Sequence, residues 1–335
     1  MMRNSQSVVG ITMGDPAGIG PEIIVTAFER LAETCHPVVI GDRDVIEAAI
    51  DICDQSLTTV TIDNPRGESP AADVIPVIDI DNIQELKRGL VREEYGRASL
   101  EYIERAIELA TGGQIDAMTT APINKQATKL AGSSHAGHTG MLAAHTNTEE
   151  YAMMLIEENL RVSHVSTHVP LREACELITT EHVTETIELT HAALQRLGIE
   201  EPSIAVAGLN PHASDGGLLG TEEQQEINPA VAVAQQNGVA VSGPESPDTV
   251  YVRAARGEFD CVVSMYHDQG HIPIKMLGFA GGAAVSGVNV TIGLPIIRTS
   301  VDHGTAFDIA GEGVASEQSL VDAVKVAVQM TDTHH

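Results

Sequence analysis

The chain has 335 residues, more than a single hydrophobic core usually organises, so two lobes are expected. Apolar residues make up 43% of it but aromatics only 3%, with no Trp, so the core must be Ala, Val, Ile and Leu packed between helices and sheet, as in an α/β protein. A formal net charge of -28, from 47 acidic residues against 19 Lys and Arg, argues against nucleic-acid and anionic-membrane partners; acids this dispersed, with few lysines, also fit adaptation to concentrated salt.

Val8 to Thr12, the glycine loop Gly14 to Glu22 and the helical pattern Ile23 to Ala32 read as strand, loop and helix. Val38 to Asp42 and Asp44 to Ile52 repeat the strand and helix, Asn64 to Pro76 reads as loop, and Arg97 to Thr111 has the spacing of a helix packed on a sheet. Ile115 to Thr119, Leu160 to Ser166, Ser203 to Ala207 and Phe259 to Met265 are short strand-like runs, each followed by a polar cluster. Ligands of open α/β sheets bind beyond the carboxyl ends of strands, so these four clusters are expected to share a cleft. Helices over Thr180 to Leu197, Glu222 to Asn237 and Thr249 to Arg256 supply the covering layers. Cys35, Cys53, Cys175 and Cys261 form no paired framework and are expected to be reduced and mostly buried. No export signal and no run of about 20 apolar residues is found, so a cytoplasmic protein is expected.

His168, His212 and His267 each lie just beyond a strand-like run, and imidazole is the commonest transition-metal ligand. A lone loop histidine is usually a hydrogen-bonding residue, but three at equivalent strand ends favour a catalytic metal with an open position, suited to Zn, Mn, Co or Mg. Asp268 could be a ligand or could orient His267. Gly137 to Gly140 offers donors to an anion, and the scarce cations Lys125, Lys275 and Arg298 follow proline-stiffened loops, where they could hold phosphate or carboxylate or make surface ion pairs. Gly14 to Gly20 has GxGxxG spacing in no register, so the Rossmann fingerprint fails and the loop could be purely structural. In Asp302 to Gly313 the small residues leave room for a flat ring against the backbone, and Asp308 could bond ribose hydroxyls.

These segments, Thr12 to Glu22, Thr120 to Lys125, Gly137 to Thr139, Gly208 to His212, His267 to Gly270 and Arg298 to Ala306, together closely resemble the 4-hydroxythreonine-4-phosphate dehydrogenase family, known by the gene name pdxA. A more distant likeness to isocitrate and isopropylmalate dehydrogenases, in Gly14 to Glu22 and His303 to Gly313, implies a two-lobed, non-Rossmann α/β/α fold with a cleft between the lobes. On that pattern residues 1–125 with 272–335 form one lobe with the cofactor loop, and 126–271 the other, with the metal and dimer contacts.

The resemblance implies that His168, His212 and His267 hold one divalent metal shared across a homodimer interface, and that His138, Thr139, Lys275, Asn289 and Arg298 contact a small phosphorylated hydroxy acid. It implies NAD or NADP at Asp302, His303, Gly304, Thr305 and Asp308, with Lys125 and Asp268 as catalytic candidates. Two departures stand out: the Gly278 to Ser286 loop is longer than usual, and Ser214-Asp215 replaces the usual Gly-Glu after His212. One branch of the family makes a vitamin B6 precursor; another resembles D-threonate and D-erythronate 4-phosphate dehydrogenases, and Tyr151 to Leu155 with Leu160 to His168 looks more like the latter. The expected reaction is oxidative decarboxylation of a 4-phosphorylated 3-hydroxy acid. A metal-dependent sugar-phosphate aldolase or isomerase, or a binding-only sensor, is the alternative class.

Overall fold

The structure is a computed structural model that describes residues 6–67, 71–133, 138–280 and 287–332. In chain order it forms β1 (Val8–Thr12), α1 (Gly20–Thr34), β2 (His36–Gly41), α2 (Arg43–Ile52), β3 (Thr58–Thr61), β4 (Val74–Asp79), α3 (Glu93–Thr111), β5 (Ala117–Thr120), α4 (Lys125–Leu130) and α5 (His138–His145). There follow β6 (Ala152–Glu157), β7 (Leu160–His164), α6 (Leu171–Glu176), α7 (Thr180–Arg196), β8 (Ile204–Ala207), α8 (Asn228–Gln236), β9 (Val241–Glu245), α9 (Val250–Ala255), β10 (Cys261–Ser264), α10 (His267–Ala280) and β11 (Val288–Ile292). Last come β12 (Ile297–Val301) and α11 (Gln318–Asp332). The chain is an α/β protein of two compact units, Met1–Thr148 with Leu294–Asp332, and Glu149–Gly293. The sequence reading drew its limits at 125/126 and 271/272. The difference has a packing cause: α4 lies on α3 so closely that a Cβ on Gly96 would sit 2.0 Å from the Ala127 carbonyl oxygen, and β11 pairs with β6.

In unit 1 the strands run in the order β3-β4-β2-β1-β5-β12, with every pairing parallel. Parallel strands need crossover helices on both faces, so their side chains are buried on both sides and lose the alternation that usually marks a strand. β1, β5 and β12 are buried throughout. Ile23, Phe28 and Leu31 of α1 and Ile103, Ala106 and Ile107 of α3 close over them. The stretch Asn64 to Pro76, whose Pro, Gly and Ser suggest loop, runs into the first half of β4, where Pro76 lies within the strand and Ile75 and Val77 are fully buried. In unit 2 the order is β11-β6-β7-β10-β8-β9: β6 is antiparallel to both neighbours, and β7, β10, β8 and β9 are mutually parallel. Its core joins Leu155, Val162, Ala205, Tyr251, Val262 and Ile274.

The cysteines carry no disulfide; Cys35 and Cys261 are buried, Cys53 half-buried and Cys175 exposed. No helix among the described residues is long and apolar enough to cross a membrane. The region expected as a helix over Glu222 to Asn237 divides into a π turn, Glu223–Ile227, and α8. The polar cluster after Phe259 to Met265 opens the helix α10, although Gly270 and Pro273 inside it disfavour a helix locally.

The loop between β1 and α1 is structural. Gly14 takes φ +74°, and a Cβ there would meet the Pro122 carbonyl oxygen at 2.3 Å; one on Gly20 would meet that of Met13 at 2.2 Å. Asp15 in this loop is fully buried and accepts from the Ala17 amide at 2.9 Å, while its Oδ2 has no partner. Burial pushes its carboxyl up from 3.8 to about 6, against the smaller opposing effect of that amide. The folded state therefore holds this proton more tightly than the unfolded chain. The associated stability is fully present below about 3.8 and is lost as pH rises through about 6. Asp15→Asn keeps the acceptor for Ala17 and removes the ionisation. Denaturant titrations should find it more stable than wild type at pH 8, by on the order of 3 kcal/mol, and equal to it near pH 4.

Candidate active site

Three of the parallel strands of unit 2 lie in the order β7-β10-β8, so their carboxyl ends share one edge. His168 follows β7, His267 follows β10 and His212 follows β8, so the sequence-predicted imidazoles all belong to that edge. The rings of His168 and His267 have centroids 5.7 Å apart. Two imidazoles on one tetrahedral metal, each about 2.1 Å from it through nitrogen, would have centroids about 5 Å apart, so this pair fits a shared ion. The Nδ1 of His267 lies 2.6 Å from an Asp268 oxygen, which makes Nδ1 the donor and presents Nε2 as the ligating nitrogen. Asp268 thus has the orienting contact of the two roles the sequence allowed; its side chain is 72% exposed. Among the described residues no group of three or more His, Cys, Asp or Glu is placed to hold a metal, so His212 is not brought to the pair within one chain.

His212 is carried on an unusual turn. From His212 to Gly216 the backbone is left-handed, with φ between 46 and 69°, and four of the five residues carry a side chain. Each such residue costs roughly 1–2 kcal/mol. Neighbours offset the cost: buried Glu223 accepts from the Asn210 amide at 2.6 Å and its side chain at 3.0 Å, and Gln224 donates to the Gly216 carbonyl. Gly208 leaves room for Ala213, whose Cα lies 2.9 Å from where a Cβ would be.

Two histidines join the cluster that sequence reasoning did not select. His164, at the end of β7, is buried, and burial first, then the neighbouring imidazole His271, pushes it down to about 3. His271 stacks on His267 with centroids 3.6 Å apart and an angle of 11°. The spacing His267 to His271 puts both on one helix face, a signal that was legible only if α10 had been recognised as a helix.

Unit 1 carries Lys125 and Arg298, two of the three cations singled out in the sequence. Arg298, in the middle of β12, is 2% exposed, and its Nη2 donates to the Thr120 hydroxyl on β5 at 2.6 Å. Burial pushes its guanidinium down to about 9. His138, at the start of α5, is held well below its ordinary value by burial first, then by the charges of Arg298 and Lys125, and its Nε2 is buried without a partner. Lys125 is exposed at the first turn of α4, where Asn124 caps the helix by accepting from the Gln126 and Ala127 amides. Thr139 is half-buried one residue beyond His138, while Gly137 lies outside the described residues. A buried guanidinium, a neutral imidazole with an unused nitrogen and an exposed ammonium suit an oxyanion. The other two substrate candidates belong to unit 2. Lys275 is half-buried on α10, and Asn289, on β11, approaches the Met153 sulfur at 3.3 Å while its Oδ1 is buried without a partner. Of the long loop before β11, residues 281–286 lie outside the described set.

The segment Asp302 to Gly313 is built on the β1–α1 loop. The Thr305 carbonyl accepts from the Ile19 amide, and the Glu22 carboxylate accepts from Gly311 and Gly313 at 2.6 and 2.8 Å. Gly311 and Gly313 therefore anchor the segment on Glu22, a residue that sequence reasoning places only in a motif. The residues that remain could meet a cofactor: a Cβ on Gly304 would meet nothing within 4 Å, Asp308 is exposed, and His303 donates from Nδ1 to the Gly304 carbonyl while its Nε2 is buried without a partner.

A profile of the family described as "Pyridoxal phosphate biosynthetic protein PdxA" matches residues 33–327. A D-threonate 4-phosphate dehydrogenase from Cupriavidus necator is 47% identical over 333 residues, covering 98% of each chain. A 4-hydroxythreonine-4-phosphate dehydrogenase from Desulforapulum autotrophicum is 46% identical over 332 residues, covering 97% of this chain and 96% of its own. The crystal structure of a 4-hydroxythreonine-4-phosphate dehydrogenase from Burkholderia phymatum, 44% identical, superposes with a TM-score of 0.85 over 98% of this chain and 99% of that one.

The left-handed turn yields a measurable expectation. Ala213 has φ 52° and ψ 51°, a conformation glycine adopts without penalty. Ala213→Gly should therefore raise the melting temperature, by about 2 to 4 °C per kcal/mol recovered. An unchanged or lower melting temperature would show that the turn is not strained.

Proposed function

Because this chain belongs to the PdxA family, an enzyme family whose relatives are named dehydrogenases, we propose that it oxidises a 4-phosphorylated 3-hydroxy acid at C3 with NAD or NADP and releases C1 as CO₂. The observation that carries this reading is the basic set of unit 1. Arg298, buried on β12, lies close enough to His138 for its charge and that of Lys125 to depress the imidazole, and the three together suit the phosphate of such an acid. His138 stays neutral there and can donate from one nitrogen. Asp302 to Asp308 receive the dinucleotide, and Lys125 is the candidate for moving the proton of the C3 hydroxyl. A divalent ion held by His168, His212 and His267, when bound, supplies Lewis acidity for both oxidation and decarboxylation.

The substrate we favour carries a hydroxyl at C2, as in D-threonate or D-erythronate 4-phosphate, and yields dihydroxyacetone phosphate. Relatives of both names lie within one per cent of each other in identity, so likeness does not choose between them. The chemistry around His267 supports the hydroxyl. Its ring neighbours are the imidazoles of His168, His164 and His271, and the carboxylate in contact, Asp268, is already bonded to Nδ1. An ammonium at C2, as in 4-hydroxythreonine 4-phosphate, would gain little from such neighbours.

We also propose that a second copy completes the metal set. Leu218 is 81% exposed next to the His212 turn, and Ile272 and Met276, at 56% and 68%, form an exposed apolar strip on the helix that begins with His267. Apolar surface beside incomplete ligands supports a twofold interface there.

Three outcomes are expected. Metal-dependent NADH or NADPH formation should occur with D-threonate 4-phosphate, and a tenfold preference for the aminated acid would reverse the choice of substrate. Arg298→Met should raise KM for the phosphorylated acid by roughly 10- to 100-fold, while activity on the dephosphorylated acid stays at the wild-type level. Ile272→Glu combined with Met276→Glu should give a monomer in sedimentation that has lost most bound metal; a monomer with full metal content would refute the shared site.

A further inference from the structure

His164, which is buried, and His271, half-buried beside it, are a titratable pair that the proposed chemistry does not use. Their hydrogen bonds fix both tautomers. The Nδ1 of His271 lies 3.0 Å from the His267 carbonyl oxygen, which can only accept, so this nitrogen carries a proton. It also lies 3.2 Å from Nε2 of His164, which is then the acceptor. The remaining nitrogen of His164, Nδ1, faces the Met153 carbonyl oxygen at 3.4 Å and carries that ring's proton. One directional chain thus runs from α10 through His164 to the backbone of β6.

The approach that allows it depends on Gly270. A Cβ there would sit 2.5 Å from both His164 Nε2 and Val162 Cγ1 and 2.8 Å from Ser264 Oγ, so any side chain would push α10 off β7 and β10. Held in this way, the ring of His271 lies nearly parallel to that of His267, with centroids 3.6 Å apart. His267 is therefore fixed on one face by His271 and at its Nδ1 edge by Asp268. Only its Nε2 direction is left to serve a ligand.

We propose that His271, anchored by His164, is a positioning residue for His267: it sets the ring plane from which His267 presents Nε2. The inference rests on the metal assignment proposed for His267, and the role is not that of a ligand. Stacking that served stability alone would leave metal affinity untouched.

The test is a Zn²⁺ titration of the whole protein against a competing chromogenic chelator, for wild type, His271→Leu and His164→Leu, with thermal melts to establish that each is folded. His271→Leu should weaken Zn²⁺ binding at least tenfold, and His164→Leu, which keeps the stacked ring but removes its anchor, by a smaller factor. Zn²⁺ affinity within twofold of wild type in a folded His271→Leu would overturn the proposal. The second readout needs no metal. Long-range ¹H–¹⁵N spectra of the imidazoles should show both His164 and His271 protonated at Nδ1, with the His267 signals moved in His164→Leu. An Nε2-protonated His271, or unmoved His267 signals, would overturn the proposal independently. If wild type binds no Zn²⁺ while the spectra come out as expected, the metal assignment fails and the positioning of His267 stands.

Discussion

Parallel pairing is the constraint on which the rest depends. In a parallel ladder every strand ends at the same edge, so residues that follow β7, β10 and β8 are delivered to one edge of the sheet although 44 or more positions separate them in sequence. The same holds in unit 1, where Thr120 at the end of β5 and Arg298 on β12 meet because β5 and β12 run side by side. Each unit thus collects its polar residues at strand ends, and the helices between strands serve as spacers that bury the sheet faces. The glycines act in the same cause. Gly14, Gly20, Gly96 and Gly270 all lie where a side chain would hold two elements apart.

The chain carries 47 acidic residues against 19 basic ones, so a buried arginine is an expensive placement. Most of its ion pairs are partly exposed and worth little, such as Arg43 with Glu47 and Arg105 with Glu108. Arg298 is of another kind. It is buried on a strand and bonded to a threonine hydroxyl, and with Lys125 it depresses the neighbouring His138 imidazole. A local excess of positive charge inside a strongly acidic protein is maintained against both desolvation and repulsion, which is the arrangement an anionic ligand would stabilise.

Much of this was legible in the sequence, for identifiable reasons. The α/β class followed from composition, and β1, β2, β5, β7, β8 and β10 from short apolar runs that end in polar clusters. The strand ends that carry His168, His212 and His267 were legible for the same reason. β4 and α10 were not, because Pro76, Gly270 and Pro273 oppose the local conformation and only tertiary packing overrides them. Missing α10 hid His271, since its relation to His267 exists only at helical spacing. The left-handed turn of His212 has no sequence signature, as four of its residues carry side chains that disfavour it. Equally, nothing local announced that Glu22 would bond Gly311 and Gly313, which lie 289 and 291 residues away.

That last bond bears on how the chain comes together during synthesis. Unit 2 is one continuous segment, Glu149–Gly293, whose pairings can close as soon as it has left the ribosome. Unit 1 is interrupted by it, and β12 and α11, which cover β5, arrive only after it, in the stretch from Leu294. Until then the nascent unit 1 presents a bare edge at β5 and an unsatisfied carboxylate at Glu22, the kinds of surface that holdase chaperones and stray strands recognise. The segment that follows β12 therefore acquires its shape only after unit 2 has been made, and it does so by docking onto a loop whose Glu22 lies 289 residues before Gly311.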